Sequence, residues 1–357
     1  MSVEIGDIRD AVWRGFDEVI DVRAPAEYAE DHVPGAISLP VLSDAERARV
    51  GTIYKQDSPF DARKIGAALV ARNTARHIEE HLMDRGGGWR PLVYCWRGGQ
   101  RSGSFATILR QIGWRVEVLE GGYRSYRRAV VDSFYDAVLP FRLIRLDGNT
   151  GTAKTELLPL LAARGVQVVD LEGLAGHRGS ILGARAAGQP SQKGFETALA
   201  EALRLLDPAW PVVVEAESSR IGALRLPPAL WTAMTVAPRV VVRAPVAARA
   251  AYLARAYADL LAEPEQLMAL LAHLRPHVGS DRVTQLQALA AASDWQTLAA
   301  DLVQHHYDPA YARARNRDDA PVAGQIAADG LDEADLPGLA DRLALVIAEV
   351  RLPVSAA

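Results

Sequence analysis

Two short stretches of this chain bring together residue types that hold anions and transfer groups. The first is PLVYCWRGGQRS, residues 91–102, in which an apolar run ends at Cys95 and is followed by Arg97, Gly98, Gly99 and Arg101 before a helical pattern starts at Ser102. A sulfur at the mouth of a glycine loop, facing a helix N-terminus, is surrounded by backbone N–H groups and the positive end of the helix dipole. Both favour a bound anion and the nucleophilic thiolate. A lone strand-end cysteine could instead be an inert buried thiol, and the flanking arginines and glycines are what turn the reading toward chemistry.

The second stretch is GNTGTAKT, comprising Gly148, Asn149, Thr150, Gly151, Thr152, Ala153, Lys154 and Thr155, placed between the strand-like FRLIRLD and a helical pattern. In a phosphate loop the amides wrap a phosphate, the lysine reaches its outer oxygens, and the hydroxyl residue can hold a metal such as Mg²⁺. Ala153 stands where such loops usually carry glycine. An alanine is tolerable there if its backbone is helical or nearly so, but it narrows the space for phosphate. A di- or triphosphate is the expected ligand.

Further polar residues cluster downstream. Asp170 and Glu215 end strand-like runs, from which carboxylates reach ligands in an open α/β sheet, although each could equally be a cap or a paired acid. DLEGLAGHRGSILG (170–183) contributes His177, Arg178 and Ser180. QPSQKGFE (189–196) contributes Gln192, Lys193 and Glu196, and VVVEAESSRIG (212–222) contributes Glu217, Ser218, Ser219 and Arg220. These form a possible second-domain site. RSYRRAV with the preceding tyrosine, that is Tyr123, Arg124, Tyr126, Arg127 and Arg128, offers cations and aromatic rings that could contact nucleic acid. Basic helices between Arg249 and Arg282 are a second such candidate.

The elements that must position these groups alternate strand and helix. Strand runs at 19–22, 36–40, 91–95 and 116–120 with helices from Ala24 and Ser102 predict a mostly parallel α/β domain. The stretch from Leu42 to Arg85 reads as an insertion containing a helix over 62–84. A second α/β series has strands at 141–147, 166–170, 211–217 and 238–244, then a nearly all-helical region over 246–306 and a closing helix over 332–352. The expected division is 1–136 and 137–357. At 357 residues with 49% hydrophobic content, the chain can fill two cores. Its net charge of −4 excludes a uniformly basic coat while leaving room for a local basic groove. One cysteine excludes an internal disulfide. No membrane span or secretory leader is apparent, so a soluble, cytoplasmic protein without membrane contact is expected.

VIDVRAPAEYAEDHVPGAISLP followed by the strand-end cysteine resembles the rhodanese domain over most of residues 5–130, whose cysteine carries a persulfide or its selenium counterpart. Arg101 lies six positions after Cys95, one more than in typical sulfur-transferring rhodaneses and as in related phosphatases. That wider loop suits a tetrahedral oxyanion such as selenophosphate. With ERARVGTIYKQDSPFDARKIGAALVARN, DLEGLAGHRGS and VVVEAESSRIG in the same chain, residues 5–310 resemble the tRNA 2-selenouridine synthase family. The resemblance implies that wobble 2-thiouridine in the tRNA anticodon is S-geranylated with geranyl diphosphate, and that selenium from selenophosphate then displaces the geranylthio group. Geranyl diphosphate and selenophosphate would be cosubstrates, with no tightly bound cofactor and no resident metal. The partners would be tRNA and the enzyme that makes selenophosphate. Rival readings are a rhodanese-type phosphatase, a P-loop kinase or NTPase with a regulatory rhodanese module, and a tRNA-binding scaffold without chemistry.

Overall fold

The structure, a computed structural model, describes residues 2–315 and 319–351. The chain forms two compact units, Met1–Val138 with Pro190–Leu205, and Leu139–Gln189 with Leu206–Ala357.

In the first unit, β1 (Ser2–Val3), β2 (Glu18–Asp21), β3 (Ala36–Ser38), β4 (Pro91–Tyr94) and β5 (Glu117–Leu119) form one parallel sheet in the order β1-β5-β4-β2-β3. All four residues of the middle strand β4 are buried, which is why its sequence is a continuous apolar run rather than an alternating one. The helices are α1 (Pro25–Glu30), α2 (Asp44–Gln56), α3 (Pro59–His77), α4 (Gln100–Ile112) and α5 (Tyr123–Tyr135). The helix expected over 62–84 is present as α3 and the π turn that follows it, and the insertion holds a further helix, α2, before it. Ser43 caps α2 with its hydroxyl and forms a reciprocal pair with Glu46, Ser58 caps α3, and α3 runs into a π turn at Ile78–Leu82. The cap at Ser58, followed by Pro59, restarts the helix two residues after α2 ends.

The rhodanese-like segment owes its shape to a buried polar network. Asp21 and Arg23, both almost fully buried, pair at 2.6 Å, and the Arg23 guanidinium lies 3.9 Å from the centre of the Tyr123 ring. Arg23 also donates to the Asp31 carbonyl, while Tyr123 and Thr197 donate to the Asp31 carboxylate at 2.6 and 3.0 Å.

The second unit has β6 (Leu143–Gly148), β7 (Gln167–Val169), β8 (Val212–Glu215), β11 (Arg239–Arg243) and β12 (Val322–Ala327) in the parallel order β12-β11-β6-β8-β7. A small antiparallel pair, β9 (Arg220–Ile221) and β10 (Leu224–Arg225), lies between β8 and β11 in the chain. α6 (Lys154–Ala162) follows β6, and α7 (Leu171–Leu174) follows β7. α8 (Gln192–Arg204) clusters with the first unit, so the second is not the uninterrupted 137–357 expected. Its Phe195, Leu199, Ala200 and Leu203 are buried at helical spacing, and its Thr197 supplies one of the donors to Asp31. After α9 (Pro228–Val236) and α10 (Val246–Ala256), helices continue to Arg315, past the 306 at which the helical region was expected to end. The last helix is Leu336–Ala348, and Leu352 of the expected span lies outside the described residues. Among the described residues no helix is long and apolar enough to cross a membrane.

Candidate functional site

Cys95 leaves the C-terminal end of β4, and α4 starts five residues later, which places the sulfur at the helix mouth. The residue is buried, 4% exposed, and packs in the apolar cluster of the first unit, with polar contacts to its sulfur from the loop and α4. Ser102 Oγ donates to Sγ at 3.2 Å, and the Ser102 and Arg97 amides add backbone donors. Burial works against ionisation here, yet these hydrogen bonds and the charge of Arg101 outweigh it and hold the thiol below its usual range. Ser102 is a site residue that the sequence reading passed over as the first residue of a helix; a hydroxyl one turn inside a helix after a cysteine loop is the signal that could have found it. Gly98 has φ +64°, and a Cβ there would stand 2.6 Å from the Leu119 carbonyl, so this position requires glycine. Gly99 is the residue preceding α4, at its N-cap, and Arg97 is exposed with only its amide committed to sulfur. Arg101 is drawn to Glu27 at 3.0 Å, and Arg47 shares the same carboxylate at 2.8 Å.

Of the residues proposed to contact nucleic acid, Tyr123 and Tyr126 do not qualify. Both are buried, Tyr123 bonded to Asp31 and Tyr126 packed edge-on against Trp13, because they lie at the three- and four-residue spacing of the one face of α5 that meets the core. Arg124 and Arg128 are exposed and line a cleft of about 280 Å³ with Trp96, while Arg127 is tied to Glu196.

In the second unit, the loop from Gly148 to Thr155 joins β6 to α6 as a phosphate loop should. Gly151 has φ +85° and meets the Arg249 carbonyl and Leu253 at 3.0 Å from an added Cβ. Ala153 adopts φ 57°, ψ 26°: helical, but left-handed, the region in which a side chain costs roughly 1–2 kcal/mol. Lys154 is buried and donates to the Gly148 carbonyl at 2.9 Å; burial alone would lower it, but Tyr311, Glu172 and Glu217 hold it cationic. Asn149 Nδ2 and Arg249 both donate to Asp308 Oδ1, each at 2.7 Å, and Arg249 also holds the Thr150 carbonyl at 2.9 Å. Thr152 caps the turn onto the Asn149 carbonyl, and Thr155 Oγ1 donates to Glu172 Oε2 at 3.1 Å.

A cavity of about 270 Å³ opens over this loop, walled by Lys154 and Thr155 together with Glu172, Arg178, Ser180 and Arg185. Arg178 Nη1 is buried there without a hydrogen-bond partner among the described residues, although its other amino nitrogen reaches Asp259 at 2.7 Å. Glu217 lies against Glu172; burial and that neighbouring carboxylate raise it from 4.5 to about 8. Glu172, Arg185, Tyr311 and Asp308 were missed by the sequence reading. Glu172 sat inside the quoted DLEGLAGHRGS, two residues from the acid chosen.

The other expected second-unit residues sort differently. Asp170 caps α7 by accepting from the Gly173 amide at 2.6 Å. Glu215 is fully buried, accepts from the Leu171 amide at 2.7 Å, and is pushed well above the carboxylate range by burial. His177 is buried, its ring held below the usual value by burial, and its Nδ1 accepts from the Gly179 amide at 3.1 Å, which orders the loop. Ser218 bonds the Arg220 carbonyl, and both are exposed outside the cavity lining. Lys193 belongs to the first unit, where it pairs with Glu30 at 2.6 Å, and Gln192 and Glu196 lie on the same helix. Among the described residues no group of three or more His, Cys, Asp or Glu could hold a metal ion.

A cysteine sulfur held by a hydroxyl and backbone amides at the end of one parallel sheet, and a phosphate loop opening onto a cationic cavity on another, define a rhodanese-like module combined with a P-loop module in one chain. The comparisons agree. Residues 5–129 match the rhodanese-like domain and residues 141–331 the tRNA 2-selenouridine synthase AAA domain. Proteins named tRNA 2-selenouridine synthase from Hahella chejuensis and Cupriavidus necator are 34% and 33% identical to this chain; the matches cover 82% and 90% of it and 84% and 94% of them. One of the same name from Psychromonas ingrahamii is 36% identical over 69% of this chain and 66% of its own length. The chain belongs to the tRNA 2-selenouridine synthase family.

Proposed function

We propose that this protein is a tRNA-modifying transferase that converts wobble 2-thiouridine to 2-selenouridine through an S-geranylated intermediate. The observation that carries the reading is the continuity of two surfaces in the second unit. The cationic cavity over the phosphate loop shares Thr150, Leu253 and Tyr257 with an apolar groove lined by residues such as Leu260, Trp295 and Leu302. A diphosphate attached to a short hydrocarbon tail matches that pairing, with the diphosphate against Lys154, Arg178 and the loop amides and the tail in the groove.

In the first step the thiocarbonyl sulfur attacks the allylic carbon, diphosphate leaves with the bonding electrons, and the uridine gives up its N3 proton. Thr155 and Glu172 offer the oxygen donors Mg²⁺ prefers and would hold it against the leaving diphosphate, whose charge the ion would neutralise. In the second step selenophosphate seats its phosphate in the Cys95 loop with selenium beside the thiolate. The C2–Se bond forms, the C2–S bond breaks, geranylthiol leaves with a proton, and water releases phosphate from selenium. S-alkylation is needed first because a thiocarbonyl sulfur is a poor leaving group. Arg124 and Arg128, beside Trp96 in their cleft, are proposed as phosphate contacts for the tRNA.

The test is mass spectrometry of the wobble nucleoside after incubating 2-thiouridine tRNA with each donor alone and with both. A geranylated nucleoside with geranyl diphosphate alone, and selenouridine only with both donors, is the expected result. Selenouridine formed without geranyl diphosphate would refute the two-step order.

A further inference from the structure

A cavity of about 950 Å³ in the first unit is used by neither loop. It lies between α2, α3 and the first turn of α4, and its wall reaches Gln100 and Arg101 at the end of the Cys95 loop. Arg47, Lys55, Arg63 and Arg101 line it, and no Asp or Glu does. Arg47 and Arg101 are satisfied by Glu27. Lys55 and Arg63, in contrast, are exposed and enter no ion pair among the described residues. Tyr54, on the same wall, is 56% exposed. The helix that carries Tyr54 and Lys55 has none of its 13 residues buried; Val50 touches α3 where Gly66 allows close approach, 3.5 Å from an added Cβ. The helix thus leaves one side as an open wall of cations and one aromatic ring. The cleft of Arg124 and Arg128 adjoins the loop at Trp96, before Gly98, whereas this groove adjoins it at Gln100 and Arg101.

We propose that this groove binds single-stranded RNA next to the base presented to Cys95, namely the unpaired anticodon loop of the tRNA. Lys55 and Arg63 contact phosphates, and Tyr54 stacks on an unpaired base. Unpaired cations without neighbouring acids suit a polyanion, and an exposed ring beside them suits bases that have left a stack. The inference rests on the proposed function, since it takes tRNA to be the substrate.

Fluorescence anisotropy with the full-length protein tests it, using three probes: an unmodified tRNA transcript, its anticodon arm with an open loop, and a fully paired RNA duplex of equal length. Lys55→Glu combined with Arg63→Glu is expected to weaken tRNA binding roughly 100-fold and to reduce the salt slope by about 1–2. Tyr54→Ala is expected to weaken the open arm roughly tenfold and leave the duplex unchanged, while Tyr54→Phe retains wild-type affinity. Unchanged Cys95 alkylation in each variant reports an intact first unit. Undiminished tRNA binding by these variants overturns the groove assignment, and equal losses on arm and duplex overturn the single-strand assignment. If the unsubstituted protein fails to bind tRNA, the proposed function falls first, which separates the two failures.

Discussion

Each sheet carries an anion loop at the C-terminal end of its middle strand, and in each loop six positions separate the opening residue from the last cation, Cys95 from Arg101 and Gly148 from Lys154. The shared position has one cause, because adjacent parallel strands diverge there and helix N-termini converge. The contents differ. In the first loop the central group is the protein's own sulfur, whose ionisation Ser102 and amides favour, while Arg101 is held to one side by Glu27. In the second, Lys154 is turned onto a carbonyl of its own loop and lies beside a carboxyl pair, Glu172 and Glu217. One loop is centred on a cysteine and the other closes on a buried lysine. Similar backbone geometry therefore leads to different chemistry through the side chains that close each loop.

The sharpest way to break this comparison is to disable each loop separately. Cys95→Ala should abolish selenium incorporation while leaving geranylation within about twofold, and Lys154→Ala should slow geranylation by roughly 10²–10³-fold, as loss of a charge-stabilising group does. Mass spectrometry of the nucleoside reads both, and a joint loss in either variant would show that the loops do not act separately. Gly98→Ala should destabilise the first unit by about 2–3 kcal/mol in denaturant melts, because the new methyl collides with the Leu119 carbonyl in a left-handed backbone.

Ser102→Ala should raise the pH midpoint of Cys95 alkylation, since it removes a hydrogen bond that favours the thiolate; an unmoved midpoint would remove Ser102 from the account. Glu217 binds a proton more tightly when folded, so its contribution to stability is full below pH 4.5 and disappears as the pH rises to about 8. Glu217→Gln should flatten that part of the stability profile in melts across this range. The smallest effect belongs to Ala153→Gly, which relieves a left-handed side chain and should stabilise the second unit by up to about 1 kcal/mol. The opposite signs at Gly98 and Ala153 would confirm that both loops use the same backbone region with different tolerance for a side chain.

Eight of the strands, the two loops and the residues that open them could be read from the chain, because apolar runs bounded by glycine and a fixed loop spacing are local properties; the short β1, β9 and β10 and the edge strand β12, mostly exposed, lacked that apolar run. The buried β4 and the loop ending at Lys154 lie where that pattern put them. Helix α8 shows where local reading stops. Its apolar stripe at Phe195, Leu199 and Leu203 is evident in the sequence, but a stripe does not say which core will cover it, and Lys193 was assigned to the wrong unit for that reason. The same limit separated Tyr123 and Tyr126, which α5 turns inward, from Arg124 and Arg128, which it turns out.

The sequence by itself determined which atoms could act: one sulfur, one phosphate-loop lysine, and the glycines that let backbone approach an anion. Tertiary structure alone decided which side chains surround them, as with Ser102 on the sulfur, Glu27 on Arg101, Asp308 on Asn149 and Glu172 on Thr155. Local backbone preference extends over a few residues, whereas a hydrogen bond across 74 or 159 positions exists only once packing has brought its two ends together.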